Sequence, residues 1–121
     1  PGSSAWFERG FITYTNQSKQ DMLGVSPSTL ATFGAVSAQT VTEMTAGVLR
    51  HAPVEVALAV SGIAGPDGGT SEKPVGLVYF AWSLAGKFTV TAEKLFTGDR
   101  TAIRAEAVQF ALSELVRLLE K

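Results

Sequence analysis

A chain of 121 residues, 45% hydrophobic and 17% charged, is long enough to bury one core and too apolar to stay disordered. Its formal net charge of -1, with no cluster of Lys and Arg, offers no electrostatic footprint for nucleic acid or an anionic membrane. The absence of cysteine excludes disulfides, thiol nucleophiles and thiolate metal sites, and a single histidine, His51, excludes a multi-histidine centre within the chain.

No apolar run approaches the ~20 residues that span a bilayer, and no signal peptide opens the chain. The expectation is a soluble, cytoplasmic domain. The start, "PGSSAWFERGFITYTN", has a turn-like Pro1-Gly2 and no initiating methionine, which reads as a processed, truncated or incomplete N-terminus. Phe11 to Thr15, "FITYT", is β-branched and aromatic and predicts a strand. Asn16 and Ser18 are candidate caps for a short helix, "KQDMLG", ended by Gly24. In "SPSTLATFG", Ser26 is the N-cap, Pro27 takes the first helical position and Gly34 is the stop. Ser37 opens a longer helix to about Arg50, with Val41, Met44, Val48 and Leu49 on its buried face.

"VEVALAVSG", Val54 to Gly62, is almost continuously apolar and suits a strand covered on both faces, at the centre of a sheet. A glycine-rich loop follows, then the strand "VGLVYFAWSL". Ala85-Gly86-Lys87 predicts a tight hairpin into "FTVTAEKLF", whose alternation suggests one solvated face. Thr97-Gly98-Asp99 breaks that strand, with Asp99 as N-cap of a long amphipathic helix from Arg100. Its inward positions are Ile103, Ala107, Phe110, Ala111, Leu115 and Leu118. The order β-α-α-α-β-β-β-α, without repeats or linker, predicts one α/β domain over residues 1–121, a layered α/β/α sandwich on a mixed sheet.

Three places carry candidate chemistry. Gly62, Gly65, Gly68 and Gly69, with Pro66, crowd one loop. Glycines let a ligand approach backbone N–H groups closely enough for them to serve an anion or oxyanion. The pattern is neither Walker A nor G-x-G-x-x-G, and glycine content alone leaves a surface connection equally open. The loop's place at the C-terminal end of an apolar strand favours a binding role. Arg100, at a helix N-terminus, is either an incidental neighbour of a cap or an anchor for phosphate or carboxylate. Tyr14, Asn16 and Lys19 stand at a strand-to-helix junction. A lone lysine is usually a solvated surface group, but a desolvated one has a lowered pKa and serves as a general base. His51 best fits the C-terminal carbonyls of its own helix.

"SGIAGPDGGTSEKPVGLVYFAW", "AWFERGFITYTNQSKQDMLGV" and "TGDR" together resemble the C-terminal domain of CinA, the competence-damage inducible protein, over essentially the whole chain. The resemblance is strongest to stand-alone members that act as nicotinamide-nucleotide (NMN) amidohydrolases. It implies hydrolysis of the carboxamide of nicotinamide mononucleotide to the nicotinate mononucleotide and ammonia, in pyridine-nucleotide recycling, without metal or organic cofactor. It also implies a Ser–Lys mechanism in which Lys19 is the catalytic lysine and Tyr14 a neighbouring active-site tyrosine. Ser61 and Gly62 match pocket-lining positions, Asn16 and Gly65 join them as substrate contacts, and Arg100 matches an arginine suited to the nucleotide phosphate. A homo-oligomer is expected by the same analogy.

The sequence departs from the family pattern at its start. Family members begin some tens of residues earlier, with a helix, a strand and a Glu-Ser-Cys-Thr-Gly-Gly turn that holds the nucleophilic serine. No such turn occurs here, and Ser3, Ser4 and Ser18 do not match its position. The expectation is a chain with the base and much of the pocket but no nucleophile, inactive alone, with exposed sheet edge and apolar helix surface. The alternative is a catalytically silent nucleotide-binding or assembly module.

Overall fold

In the computed structural model, which describes residues 1–120, helices cover both faces of a three-stranded sheet. A 3-10 turn at Ser3–Ala5 leads into an extended segment and then α1 (Asn16–Leu23), α2 (Pro27–Phe33) and α3 (Ala38–His51). The strands β1 (Val56–Gly62), β2 (Leu77–Leu84) and β3 (Phe88–Leu95) follow, and α4 (Arg100–Leu119) completes the order.

The helices begin where short polar side chains can satisfy orphan backbone N–H groups. Ser26 accepts from the Ser28 N–H, Ser37 from Thr40 and Asp99 from Ala102, as the sequence predicts. For α1 the cap is Thr15 rather than Asn16 or Ser18. The reason is reciprocity: the Ser18 N–H donates to Thr15 Oγ1 and the Thr15 N–H donates to Ser18 Oγ, each at 3.1 Å. One pair of side chains thus satisfies two donors. Gly24 ends α1 in the left-handed region, at φ 69°.

β2 is the central strand, paired antiparallel with β1 on one side and β3 on the other. Its side chains alternate between two cores, as the strand period of two requires. Ala81 joins Ala59 of β1 against Leu23, Val25, Leu30, Val41 and Met44 on the side of α1–α3. Val78, Phe80 and Trp82 face Ile103, Ala107, Ala111 and Leu118 of α4. The Phe80 and Trp82 rings stack at 5.7 Å and Phe110 closes edge-on to Phe80 at 4.9 Å. Trp82 satisfies its indole N–H on the Ala111 carbonyl at 3.0 Å. Phe80 is 0% exposed. Phe80→Ala should therefore cost about 3–5 kcal/mol, measured as a lower urea midpoint at unchanged slope.

The layered α/β arrangement stands, with three departures from the sequence reading. Phe11 to Thr15 is not a strand. It keeps a strand's alternation, with Thr13 buried and Ile12 and Tyr14 exposed. Among the described residues no strand runs beside it to form a ladder. For the same reason the sheet is antiparallel throughout rather than mixed. Third, β1 lies at an edge of this sheet, not at its centre. Its Ala57 and Ala59 are buried under the α1–α3 layer, whereas Val60, on the opposite face, is exposed beside an open cleft.

Candidate functional site

Lys19 and Leu23 are spaced four apart on α1, so they share one face, and that face points inward. Lys19 is only 6% exposed. Its Nζ donates to the Thr13 carbonyl at 2.7 Å, across the turn that enters the helix. That carbonyl is free to accept because the extended segment has no ladder partner. Burial disfavours the ammonium form and lowers the Lys19 pKa below the ordinary lysine value. A lysine so placed is closer to a neutral amine with a usable lone pair than a surface lysine is.

Lys19 and Tyr14 line a cleft of about 1220 Å³ between the N-terminal segment, β1, α3 and the C-terminal half of α4. Much of its wall is apolar, including Met44, Val48, Leu112, Leu115 and Leu119. Tyr14 is 86% exposed and its ring stands largely in solvent at the rim. Asn16 is exposed on the first turn of α1 and lines neither this cleft nor the smaller one described next.

A second depression, about 520 Å³, lies between the glycine-rich loop and the start of α4, with Ala64, Pro66, Val75, Asp99 and Arg100 in its wall. Arg100 Nη1 donates to the Gly65 carbonyl at 2.9 Å. Gly65 is buried at φ 80°, and a Cβ there would meet Val75 Cγ1 at 2.5 Å. The engaged group at Gly65 is thus its carbonyl, and the glycine serves close packing of the loop on Val75.

Ser61 and Gly62 sit at the end of β1 between the two depressions, since Val60 lines the first and Ala64 the second. Ser61 is half-buried, and Gly62 is exposed but packed edge-on to β2, where a Cβ would meet Val78 Cγ2 at 2.7 Å. The predicted residues therefore fall into two groups, Lys19 with Tyr14 and Gly65 with Arg100, joined by the Ser61-Gly62 strand end. His51 Nδ1 lies 2.7 Å from the Gly47 carbonyl within its own helix, the role expected for it. Among the described residues no three His, Asp or Glu side chains cluster as metal ligands would, and no helix is long and apolar enough to cross a membrane.

Sequence reasoning missed Thr13, because its contribution is a main-chain carbonyl, which no residue type announces. It also missed Lys73, whose Nζ donates to the Phe33 carbonyl at the end of α2.

A family model described as the CinA C-terminal domain matches residues 1–119. The chain is 54% identical over 116 residues to the nicotinamide-nucleotide amidohydrolase PncC of Enterobacter agglomerans, covering 96% of this chain and 71% of that protein. It is 49% identical over 119 residues to a CinA-like protein of Endomicrobium trichonymphae, covering 98% of this chain but 28% of that longer protein. The crystal structure of competence/damage inducible protein CihA from Agrobacterium tumefaciens matches with a TM-score of 0.94 at 49% identity, over 97% of this chain and 72% of that one. A lysine buried at the mouth of α1, a glycine-rich loop tied to α4, and sequence and fold similarity along nearly the whole length lead to one assignment: the chain belongs to the CinA C-terminal domain family.

Proposed function

We propose that this domain is the greater part of a cytoplasmic nicotinamide-nucleotide amidohydrolase, which converts nicotinamide mononucleotide to the nicotinate mononucleotide and ammonia without metal or organic cofactor. The observation that carries the reading is Lys19, buried, held by the Thr13 carbonyl at 2.7 Å and lowered in pKa by desolvation. The name and similarity of the Enterobacter agglomerans relative support the substrate.

In this mechanism the neutral Lys19 amine removes the proton from a serine hydroxyl, which attacks the carboxamide carbon. The serine is the one that the family pattern sets in a turn upstream of these residues. Backbone donors near Ser61 and Gly62 stabilise the oxyanion of the tetrahedral intermediate. Protonated Lys19 then gives its proton to the amide nitrogen as the C–N bond breaks and ammonia leaves, and a water activated by the same amine hydrolyses the acyl-serine. Arg100 has one of its five N–H donors on Gly65, and the others are available to a phosphate. Tyr14 stands at the rim of the cleft beside Lys19.

The reading is tested by ammonia release from NMN. The 121-residue polypeptide is expected to give none above background, and the same residues joined to the upstream segment of a family member are expected to turn over. Turnover by the short polypeptide would overturn the upstream serine. No turnover by the extended one would favour a silent nucleotide-binding or assembly module. A homo-oligomer belongs to the same proposal, because Leu112, Val116 and Leu119 of α4 and Val60 of β1 form exposed apolar surface.

A further inference from the structure

We propose that Lys73 is a positioning residue, which clamps the glycine-rich loop to the end of α2 and so holds it in the shape that binds nucleotide; the binding half of this inference rests on the function proposed above. The loop is closed at its base, where the Ile63 N–H donates to the Leu77 carbonyl at 2.9 Å and the Gly76 N–H to the Ile63 carbonyl at 2.7 Å. Its middle folds onto Val75, so closely that a Cβ on Gly69 would lie 2.7 Å from the Val75 nitrogen. Arg100 secures the near side through the Gly65 carbonyl.

The tip has much less to hold it. Residues 66–72 are all exposed, so no burial fixes them. A local turn forms at Thr70 to Lys73, with the Thr70 N–H on the Lys73 carbonyl at 2.8 Å and the Lys73 N–H on Thr70 Oγ1 at 3.0 Å. Among the described residues, the bond from Lys73 Nζ to the Phe33 carbonyl is the only hydrogen bond from residues 66–73 to another part of the fold.

The acceptor suits a cation. Phe33 is the last residue of α2, where helix carbonyls lack intrahelical partners and the helix dipole is negative. Gly34 leaves room for the amine, since a Cβ there would be 3.0 Å from Lys73 Nζ. The anchor is itself fixed to α3, because the Gly34 carbonyl accepts from Ser37 Oγ at 2.9 Å and Thr40 Oγ1 at 2.7 Å. Lys73 thus acts on ligand through the loop and not by touching it.

The test compares wild type, Lys73→Met and Lys73→Arg by amide hydrogen exchange across residues 66–73 and by calorimetric titration with NMN. Loss of a hydrogen bond to a charged group should raise tip exchange about tenfold or more in Lys73→Met. NMN affinity should fall by a similar factor, with both effects largely restored in Lys73→Arg. Unchanged exchange in Lys73→Met overturns the clamp, and raised exchange with unchanged NMN affinity overturns its role in binding. A wild type that binds no NMN removes the nucleotide reading and this role with it, while exchange still decides the clamp.

Discussion

Lys19→Ala, made in these residues joined to the upstream segment of a family member, is expected to lower kcat for NMN roughly 10²–10⁴-fold, the usual contribution of a positioned general base. NMN affinity should stay nearly unchanged, because in the proposed mechanism the amine acts on the nucleophile's proton and not on the nucleotide. A loss of affinity with kcat preserved would instead assign Lys19 to binding. On the mechanism proposed above only the neutral amine is competent, so kcat/KM of the extended polypeptide should rise with pH to an inflection below 10.5, the ordinary lysine value from which burial lowers this group.

The same burial has a stability consequence of definite sign. Below its lowered folded pKa, Lys19 is charged in both states and the folded protein bears the full cost of burying an ammonium. Between that value and 10.5 the unfolded chain binds more protons, so folding becomes more favourable as pH rises. Above 10.5 the cost is gone. Wild type should thus gain stability relative to Lys19→Met as pH is raised from neutrality toward 10.5, measured by urea unfolding at several pH values. A gap that stays constant or widens in the other direction would contradict the burial of Lys19.

Gly47→Ala is expected to reverse the usual rule for a glycine inside a helix. Replacing a mid-helix glycine by alanine normally stabilises by about 0.5–1 kcal/mol. Here a Cβ at position 47 of α3 would sit 2.0 Å from the Leu23 carbonyl oxygen and 2.8 Å from the Leu23 carbonyl carbon, both main-chain atoms at the end of α1. Neither atom belongs to a side chain that could rotate away, so α1 itself must shift. Overpacking of this kind costs about 1–3 kcal/mol or more, visible as a lower thermal midpoint. Because α1 carries Lys19, the shift should also weaken the contact to Thr13 and depress kcat, although Gly47 lies outside the cleft lining. A stabilised Gly47→Ala would show that α1 does not pack on α3 as described.

What could be read from sequence here is what neighbours along the chain decide. Ser26, Pro27, Ser37 and Asp99 mark helix starts because capping is an exchange between residues two or three apart. The inward face of α4, from Ile103 to Leu118, follows from a period of 3.6 that needs no knowledge of its partner. The Thr15 cap escaped because the reciprocal bond between Thr15 and Ser18 outcompetes the more usual choice of Asn16, a contest between equally short-range options.

Long-range pairing was not legible. Phe11 to Thr15 has a strand's composition and alternation, but a ladder needs a second chain segment at the right distance, and none of the described residues provides one. "VALAV" reads as a buried central strand because apolar content does not distinguish a face covered by a helix from one open to a cleft. Local sequence was enough for the starts of α2, α3 and α4, the β-β-β run, the absence of thiol chemistry and the resemblance that singled out Lys19. It took the assembled fold to show that β1 is an edge, that Lys19 is desolvated against the Thr13 carbonyl, and that Arg100 bonds the Gly65 carbonyl while Lys73 bonds that of Phe33. Those three facts depend on main-chain carbonyls and on residues up to 40 positions apart, and side-chain identity encodes neither where a carbonyl points nor what the fold brings beside it.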